Sequence, residues 1–339
     1  VALEQTETIL FMPDLFHYLL IGKRATEFTF ATTTQLMNIH TTSWDEGLCE
    51  ALGISTTKLA EIAQPGASLG SIRDQAARET GLAQAQVVLP ATHDTGSAVA
   101  AIPAEGDDWA FISSGTWSLV GTEIRQPLCT PEALACNFTN EGGVAGTYRF
   151  LKNISGLWIV QRLRDELAQN EDYATLMRHV EDAPPFVSLI DPDAETFFQP
   201  ESMKAAIERY CEWHKETSPQ SLPALLRCAL ESLALRYRQV IEELREVLDK
   251  PIRRIHIVGG GSQNALLCQW TADATGLPVF AGPVESTALG NVIAQAVGTG
   301  TIPNFDAGRA IVRNMTRPTE YLPQNTEAWN AAYKRFRGM

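Results

Sequence analysis

Ile255-His256-Ile257-Val258-Gly259-Gly260-Gly261-Ser262-Gln263-Asn264 is the stretch on which the fold class turns. Its first four residues are a short apolar, β-prone run and read as a buried strand. Three glycines follow, and then a helix is expected over 264–275. Pro278-Val279-Phe280 reads as a second short strand, and residues 286–297 as a second helix after a Gly282-Pro283 loop. Strand, glycine turn, helix, strand, loop and helix in that order make a parallel crossover unit, because parallel neighbours need a long connection and a helix supplies it.

The pattern extends upstream. Leu226, Leu230, Leu233, Tyr237, Val240, Leu244 and Leu248 recur every three or four positions, the apolar face of one long helix over 223–248. Asp249-Lys250-Pro251 stops it. Residues 155–169 read as a helix with Trp158, Leu163 and Leu167 on one side. Residues 109–113 and 116–120 read as two strands of a hairpin around Ser114-Gly115, and Gly142-Gly143 with 148–151 as another turn and strand. The polar run Pro103-Ala104-Glu105-Gly106-Asp107-Asp108 is the best domain boundary. Before it, 6–20 has helical spacing interrupted at Pro13, 29–38 reads as loop or short irregular structure, and 44–52 and 55–62 as short helices. Residues 86–90 read as a buried strand and 97–101 as a helix, so the whole is mixed α/β.

At 339 residues, 45% hydrophobic and 20% charged, the chain has the balance of a globular protein with room for two domains and needs no disulfide or metal staple. No apolar run approaches the roughly 20 residues of a membrane span. Twenty-seven basic against 40 acidic residues leave a net charge of −13, without a basic cluster, which argues against nucleic acid or an anionic membrane as partner. Cys49, Cys129, Cys136, Cys211, Cys228 and Cys268 form no C-x-x-C pair. Reduced thiols in a cytoplasmic protein are expected, with no metal site of the protein's own. The opening Val1-Ala2-Leu3-Glu4 reads neither as a secretory signal nor as a natural start.

Four stretches could carry chemistry. His93-Asp94-Thr95-Gly96-Ser97 follows a strand, where a carboxylate is well placed as a general base. The plainer reading makes Asp94 the cap of the next helix, and on these residues alone it is preferred. Asp-Thr-Gly-Ser also matches the catalytic tetrapeptide of aspartic proteases, but those need two such carboxylates in an all-β fold. Ser113-Ser114-Gly115-Thr116 could present amides to a phosphate, or be an ordinary hairpin. At Gly259, Gly260 and Gly261 the backbone can approach a ligand closely ahead of a helix N-terminus, although neither a Walker loop nor G-x-G-x-x-G is present. Asn153 and Gln161, in Lys152-Asn153-Ile154-Ser155-Gly156-Leu157-Trp158-Ile159-Val160-Gln161, could bond a polyol or an adenine site, or belong to a capped helix. His256, inside a strand, reads as a core histidine.

In order and spacing these stretches resemble the FGGY family of sugar kinases. The resemblance rests on Met12-Pro13-Asp14 with Gly22-Lys23, Ala31-Thr32-Thr33-Thr34-Gln35-Leu36, His93-Asp94-Thr95, Ser113-Ser114-Gly115-Thr116-Trp117-Ser118 and Asn140-Glu141-Gly142-Gly143. It continues through Leu151-Lys152-Asn153 with Gly156-Leu157-Trp158, Ile257-Val258-Gly259-Gly260-Gly261, and Gly282-Pro283-Val284-Glu285 with Leu289-Gly290-Asn291. The Asn-Glu-Gly-Gly and Lys-Asn-Ile-x-Gly-Leu-Trp segments resemble the branch that acts on rhamnulose.

The resemblance implies an actin-like, two-domain α/β fold of ribonuclease-H-like halves, with ATP, Mg²⁺ and a sugar as ligands. It implies phosphorylation of the 1-hydroxyl of L-rhamnulose, or of a related ketose or polyol such as fuculose or xylulose. A non-catalytic actin-like nucleotide-binding module is the reading from another class. Asp94 would be the catalytic base, with His93, Thr95 and Asn153 at the sugar. Thr116 would lie at the ATP phosphates with Gln161 nearby, and Gly259, Gly260 and Gly261 at the adenosine. The family's opening strand and hairpin, with an Asp and a glycine-rich turn, have no match here. Residues 1–103 are therefore expected to be the end of the sugar-binding domain, 104–339 the nucleotide domain, and the chain alone inactive.

Overall fold

The computed structural model describes residues 2–83, 85–169 and 171–339; Val1 of the opening tetrapeptide lies outside it, as do Gln84 and Asn170. The chain divides into two compact units. The first comprises 1–105, 122–151 and 285–317, and the second 106–121, 152–284 and 318–339.

The main strands are β1 (Trp109–Ser114), β2 (Trp117–Ile124), β3 (Thr139–Gly142), β4 (Tyr148–Ser155), β5 (Arg254–Val258), β6 (Val279–Ala281) and β7 (Thr319–Tyr321). In the second unit β7, β6, β5, β1 and β2 lie side by side in that order. β5 pairs in parallel with β6, Ile255 opposite Val279, and with β1, Ile257 opposite Ile112. The expected crossover is present: β5 leads through the glycine turn into the helix Ala265–Thr275 and on to β6. β1 and β2 form the expected hairpin, with Ser114 opposite Ser118.

The long helix is Leu222–Leu248. The Ser221 hydroxyl accepts from the Ala224 amide at its start, and Asp249 closes it in the left-handed region at φ 45°. Leu226, Leu230, Leu233, Tyr237, Val240 and Leu244 are buried, as their spacing requires. It packs against Ala265–Thr275 and the helix Trp158–Leu167. In Trp158–Leu167 the buried face is Ile159, Val160 and Leu163; of the expected stripe Leu163 is buried, whereas Leu167 is exposed. His256 is buried between the rings of Trp109 and Phe280.

In the first unit β3 and the start of β4 pair antiparallel, Glu141 opposite Arg149. The helix Asp94–Ala100 packs on Ser286–Gly298. They approach so closely that a Cβ on Gly290 would overlap the Ser97 carbonyl. One expectation changes here. Pro13 does not interrupt a helix but opens one, Met12–Ile21, since a first-turn proline has no amide bond to lose. The stretch 29–38, expected as loop or short irregular structure, holds the short helix Phe28–Ala31, a 3-10 turn Thr32–Thr34 and the strand Met37–Asn38. The hydroxyls of Thr32, Thr33 and Thr34 bond back to carbonyls three residues earlier, which let a Thr-rich run stay helical.

Candidate active site

The first unit holds His93, Asp94 and Thr95. Asp94 is not the cap of its helix: His93 occupies that position and makes no side-chain cap bond, and Asp94 is the first helical residue. Its carboxylate is 81% exposed and accepts from the Thr95 amide at 2.6 Å, the only part of the capping reading that survives. An exposed carboxylate at a fixed helix start is free to take a proton from a bound hydroxyl.

Two buried charges fix the loop before it. Glu27, fully buried, accepts from the Thr29 amide and hydroxyl, the Phe30 amide, and the Thr92 amide and hydroxyl. Burial pushes its carboxyl above the usual range, and these bonds pull the other way. The His93 amide in turn donates to the Thr29 hydroxyl at 3.1 Å. Arg149, also fully buried, donates from Nε to the Gly142 carbonyl at 2.8 Å and pairs with Glu141 at 3.0 Å. Its Nη1 lies 3.4 Å from His93 Nδ1. Burial first, and then the Arg149 charge, hold the His93 imidazole below its ordinary range.

The second unit holds the other expected residues. The Thr116 hydroxyl donates to Gln161 Oε1 at 3.1 Å, so these two do come together. The carbonyls of Gly115 and Thr116 accept from the amides of Leu157, Gly156 and Trp158, which docks the start of the Trp158–Leu167 helix on the hairpin. The Gly115 amide is taken by the Trp117 carbonyl, so the turn exposes Thr116 rather than a full concave set of amides. The buried Tyr237 hydroxyl bonds Ser118 at 2.7 Å and Ser114 at 3.3 Å, tying the hairpin to the long helix.

The glycine turn rests on the same Ser114. A Cβ on Gly261 would overlap the Ser114 side chain, and Gly259 sits at φ 79°, a region that suits glycine. Gly260 differs, with open space where a Cβ would stand. The turn runs into a 3-10 segment, Gly260–Gln263, before the helix, and the Asn264 side chain caps the helix at the Leu267 amide. The backbone at Gly260, rather than the helix N-terminus, is thus the exposed part. Asn153 stands exposed on β4 between buried Lys152 and Ile154, in a strand and not in a capped helix. Among the described residues no cluster of three His, Cys, Asp or Glu could hold a metal ion, and no helix is long and apolar enough to cross a membrane.

Glu27, Arg149 and Tyr237 were not singled out from the sequence as site residues. Each had a signal: a lone charge inside an apolar run, Thr26-Glu27-Phe28 or Tyr148-Arg149-Phe150, and a lone hydroxyl on an apolar helix face. A buried charge or hydroxyl has to be held by partners, and here the partners lie in or beside the stretches that hold the candidate residues.

The N-terminal domain of the FGGY family of carbohydrate kinases matches residues 2–101, and the C-terminal domain of that family matches 110–299. The chain belongs to the FGGY family of carbohydrate kinases. This FGGY kinase chain is 44% identical over 336 residues to the rhamnulokinase of Bacteroides thetaiotaomicron, covering 99% of this chain and 69% of that protein. The rhamnulokinase of Bacillus subtilis is 38% identical over 325 residues, covering 96% of this chain and 67% of the relative. The fold is shared with the gluconate kinase of Lactobacillus acidophilus at a TM-score of 0.78 and 18% identity, over 98% of this chain and 67% of that one. It is shared with Plasmodium falciparum glycerol kinase, in a structure with ADP, at a TM-score of 0.77 and 15% identity, over 98% and 66%. The FGGY chain is thus a sugar kinase with the α/β, actin-like fold its motifs led one to expect.

Proposed function

We propose that this chain carries the ATP-dependent phosphorylation of L-rhamnulose to L-rhamnulose 1-phosphate, in the cytoplasm, with Asp94 as the general base. The observation that carries this reading is the 44% identity, over nearly the whole chain, to a protein named rhamnulokinase. Asp94 takes the proton of the 1-hydroxyl as its oxygen forms a bond to the γ-phosphorus of ATP. The bond from that phosphorus to the bridging oxygen breaks, and ADP leaves. Proton removal by a positioned carboxylate contributes about 10²–10⁴-fold, and the remainder is alignment and charge neutralisation.

His93, Thr95 and Asn153 hold the sugar; Thr116 and Gln161 serve the phosphates; Gly259, Gly260 and Gly261 take the adenosine. Magnesium enters as Mg-ATP, the substrate itself. When bound, the metal would be held mainly through the phosphate oxygens of the nucleotide. Residues 1–103 serve as sugar-binding domain and 104–339 as nucleotide-binding domain, with 122–151 and 285–317 of the latter packed in the same compact unit as the sugar-binding residues.

A coupled assay of ADP release with Mg-ATP tests the reading on L-rhamnulose, L-fuculose and D-xylulose in an active enzyme of this sequence. The expected result is the highest kcat/KM on L-rhamnulose, with the phosphate on the 1-oxygen by phosphorus NMR. A preference for either other ketose would reject the substrate, and no transfer to any ketose would reject the reaction.

A further inference from the structure

Arg149 carries its charge at all accessible pH, and a guanidinium has donors only. It is fully buried, its Nε is spent on the Gly142 carbonyl, and its Nη1 lies 3.0 Å from the Glu141 carboxylate and 3.4 Å from His93 Nδ1. Nδ1 can only accept in that contact, which leaves the proton of a neutral ring on Nε2. The other charged groups facing Nδ1 are Asp94 Oδ1 at 3.8 Å and Glu141 Oε2 at 3.9 Å, both outside hydrogen-bond reach. They favour a charged ring; burial and Arg149 outweigh them. Arg149 Nη2 is buried with no hydrogen-bond partner among the described residues. An ion pair kept only for stability gains little over apolar packing, and one with an unsatisfied buried donor gains less.

We propose that Arg149 is a positioning residue that fixes His93 as the neutral Nε2–H tautomer, so that His93 gives the sugar a hydrogen-bond donor and never competes with Asp94 as a base. The proposal rests on His93 being a sugar contact, and its two halves are read separately.

Nitrogen-15 NMR of histidine-labelled protein at pH 7, without ligands, reads the ring, with His93→Gln assigning its signal. The expected state is neutral Nε2–H, replaced by a tautomer mixture or an imidazolium in Arg149→Met. An Nδ1–H ring or an imidazolium in the unsubstituted protein overturns the proposal, as does an unchanged spectrum in Arg149→Met. The unsubstituted spectrum decides alone should the variant fail to fold.

The sugar half is read by KM for L-rhamnulose. The amide of His93→Gln carries its N–H near the Nε2 position, and that of His93→Asn near Nδ1. KM is expected to rise about tenfold more for His93→Asn than for His93→Gln, the loss of one good hydrogen bond, with kcat less affected. KM equal in all three forms removes His93 from the sugar site, a failure distinct from that of the ring assignment.

Discussion

The loop that carries His93, Asp94 and Thr95 hangs on buried charges, whereas the turn at Gly259, Gly260 and Gly261 is shaped by missing side chains. Glu27 gathers donors from both sides of the first, and Arg149 with Glu141 closes it from the neighbouring strands. In the second, Gly261 lets the backbone lie against Ser114, which Tyr237 holds in turn. The difference fits the roles proposed for each. A general base with its sugar contacts would have to be aimed, and aiming needs directional bonds. A turn meeting a nucleotide would mainly have to stay out of the way.

The largest effect expected is on rate. Asp94→Asn should lower kcat about 10²–10⁴-fold. It should leave the melting temperature almost unchanged, because the side chain is 81% exposed. Turnover above about a tenth of normal would remove Asp94 from the role of base.

Next comes Glu27→Gln, which keeps the shape but turns part of an all-acceptor group into a donor facing donors. A loss of about 2–4 kcal/mol in urea unfolding is expected, from buried donors left without an acceptor. A change within about 0.5 kcal/mol would mean that the loop does not hang on this carboxylate.

Gly261→Ala should lose less, about 1–3 kcal/mol, as Ser114 is pushed aside. Thermal melts that match the unsubstituted protein would show that the turn is not packed on Ser114.

Much of this was legible in advance, and the exceptions share one cause. The β5 crossover, the long helix and the Ser114 hairpin announce themselves by local period and turn residues, and all appear within a residue or two of expectation except the second hairpin strand, which runs on to Ile124 rather than residue 120. The pairing of Thr116 with Gln161 followed from the resemblance. Glu27 and Arg149 were missed because a charge in an apolar run acquires meaning only from partners distant in sequence: Thr92 for one, His93 and Glu141 for the other. In the run 29–38, read as loop or short irregular structure, back-bonding hydroxyls and the Glu27 cap give short helical turns that composition alone does not specify.

An effect of comparable size separates the charge-built side from the glycine-built side by pH. Asp14 is buried in the first unit, its carboxyl raised from 3.8 to about 6, chiefly by burial. A group raised in the folded state is protonated there before it is in the unfolded chain. Its contribution is therefore fully present at low pH and is lost as pH rises from about 4 through about 6. Asp14→Asn cannot ionise and still offers an oxygen to the Glu27 amide. Its stability advantage should open over that window and level off above it, at about 1–3 kcal/mol. A pH-independent difference would contradict the burial argument.

Gly260 gives the most direct test of the division of labour between the two regions. It has open space around it and does not need a glycine conformation, so Gly260→Val should fold as before. Calorimetric titration of that variant with ADP and, separately, with L-rhamnulose is the measurement. The account predicts ADP affinity lowered about tenfold or more, by a side chain standing where the nucleotide meets backbone, and sugar affinity unchanged. Equal ADP affinity in both proteins, or a loss confined to the sugar, would contradict it.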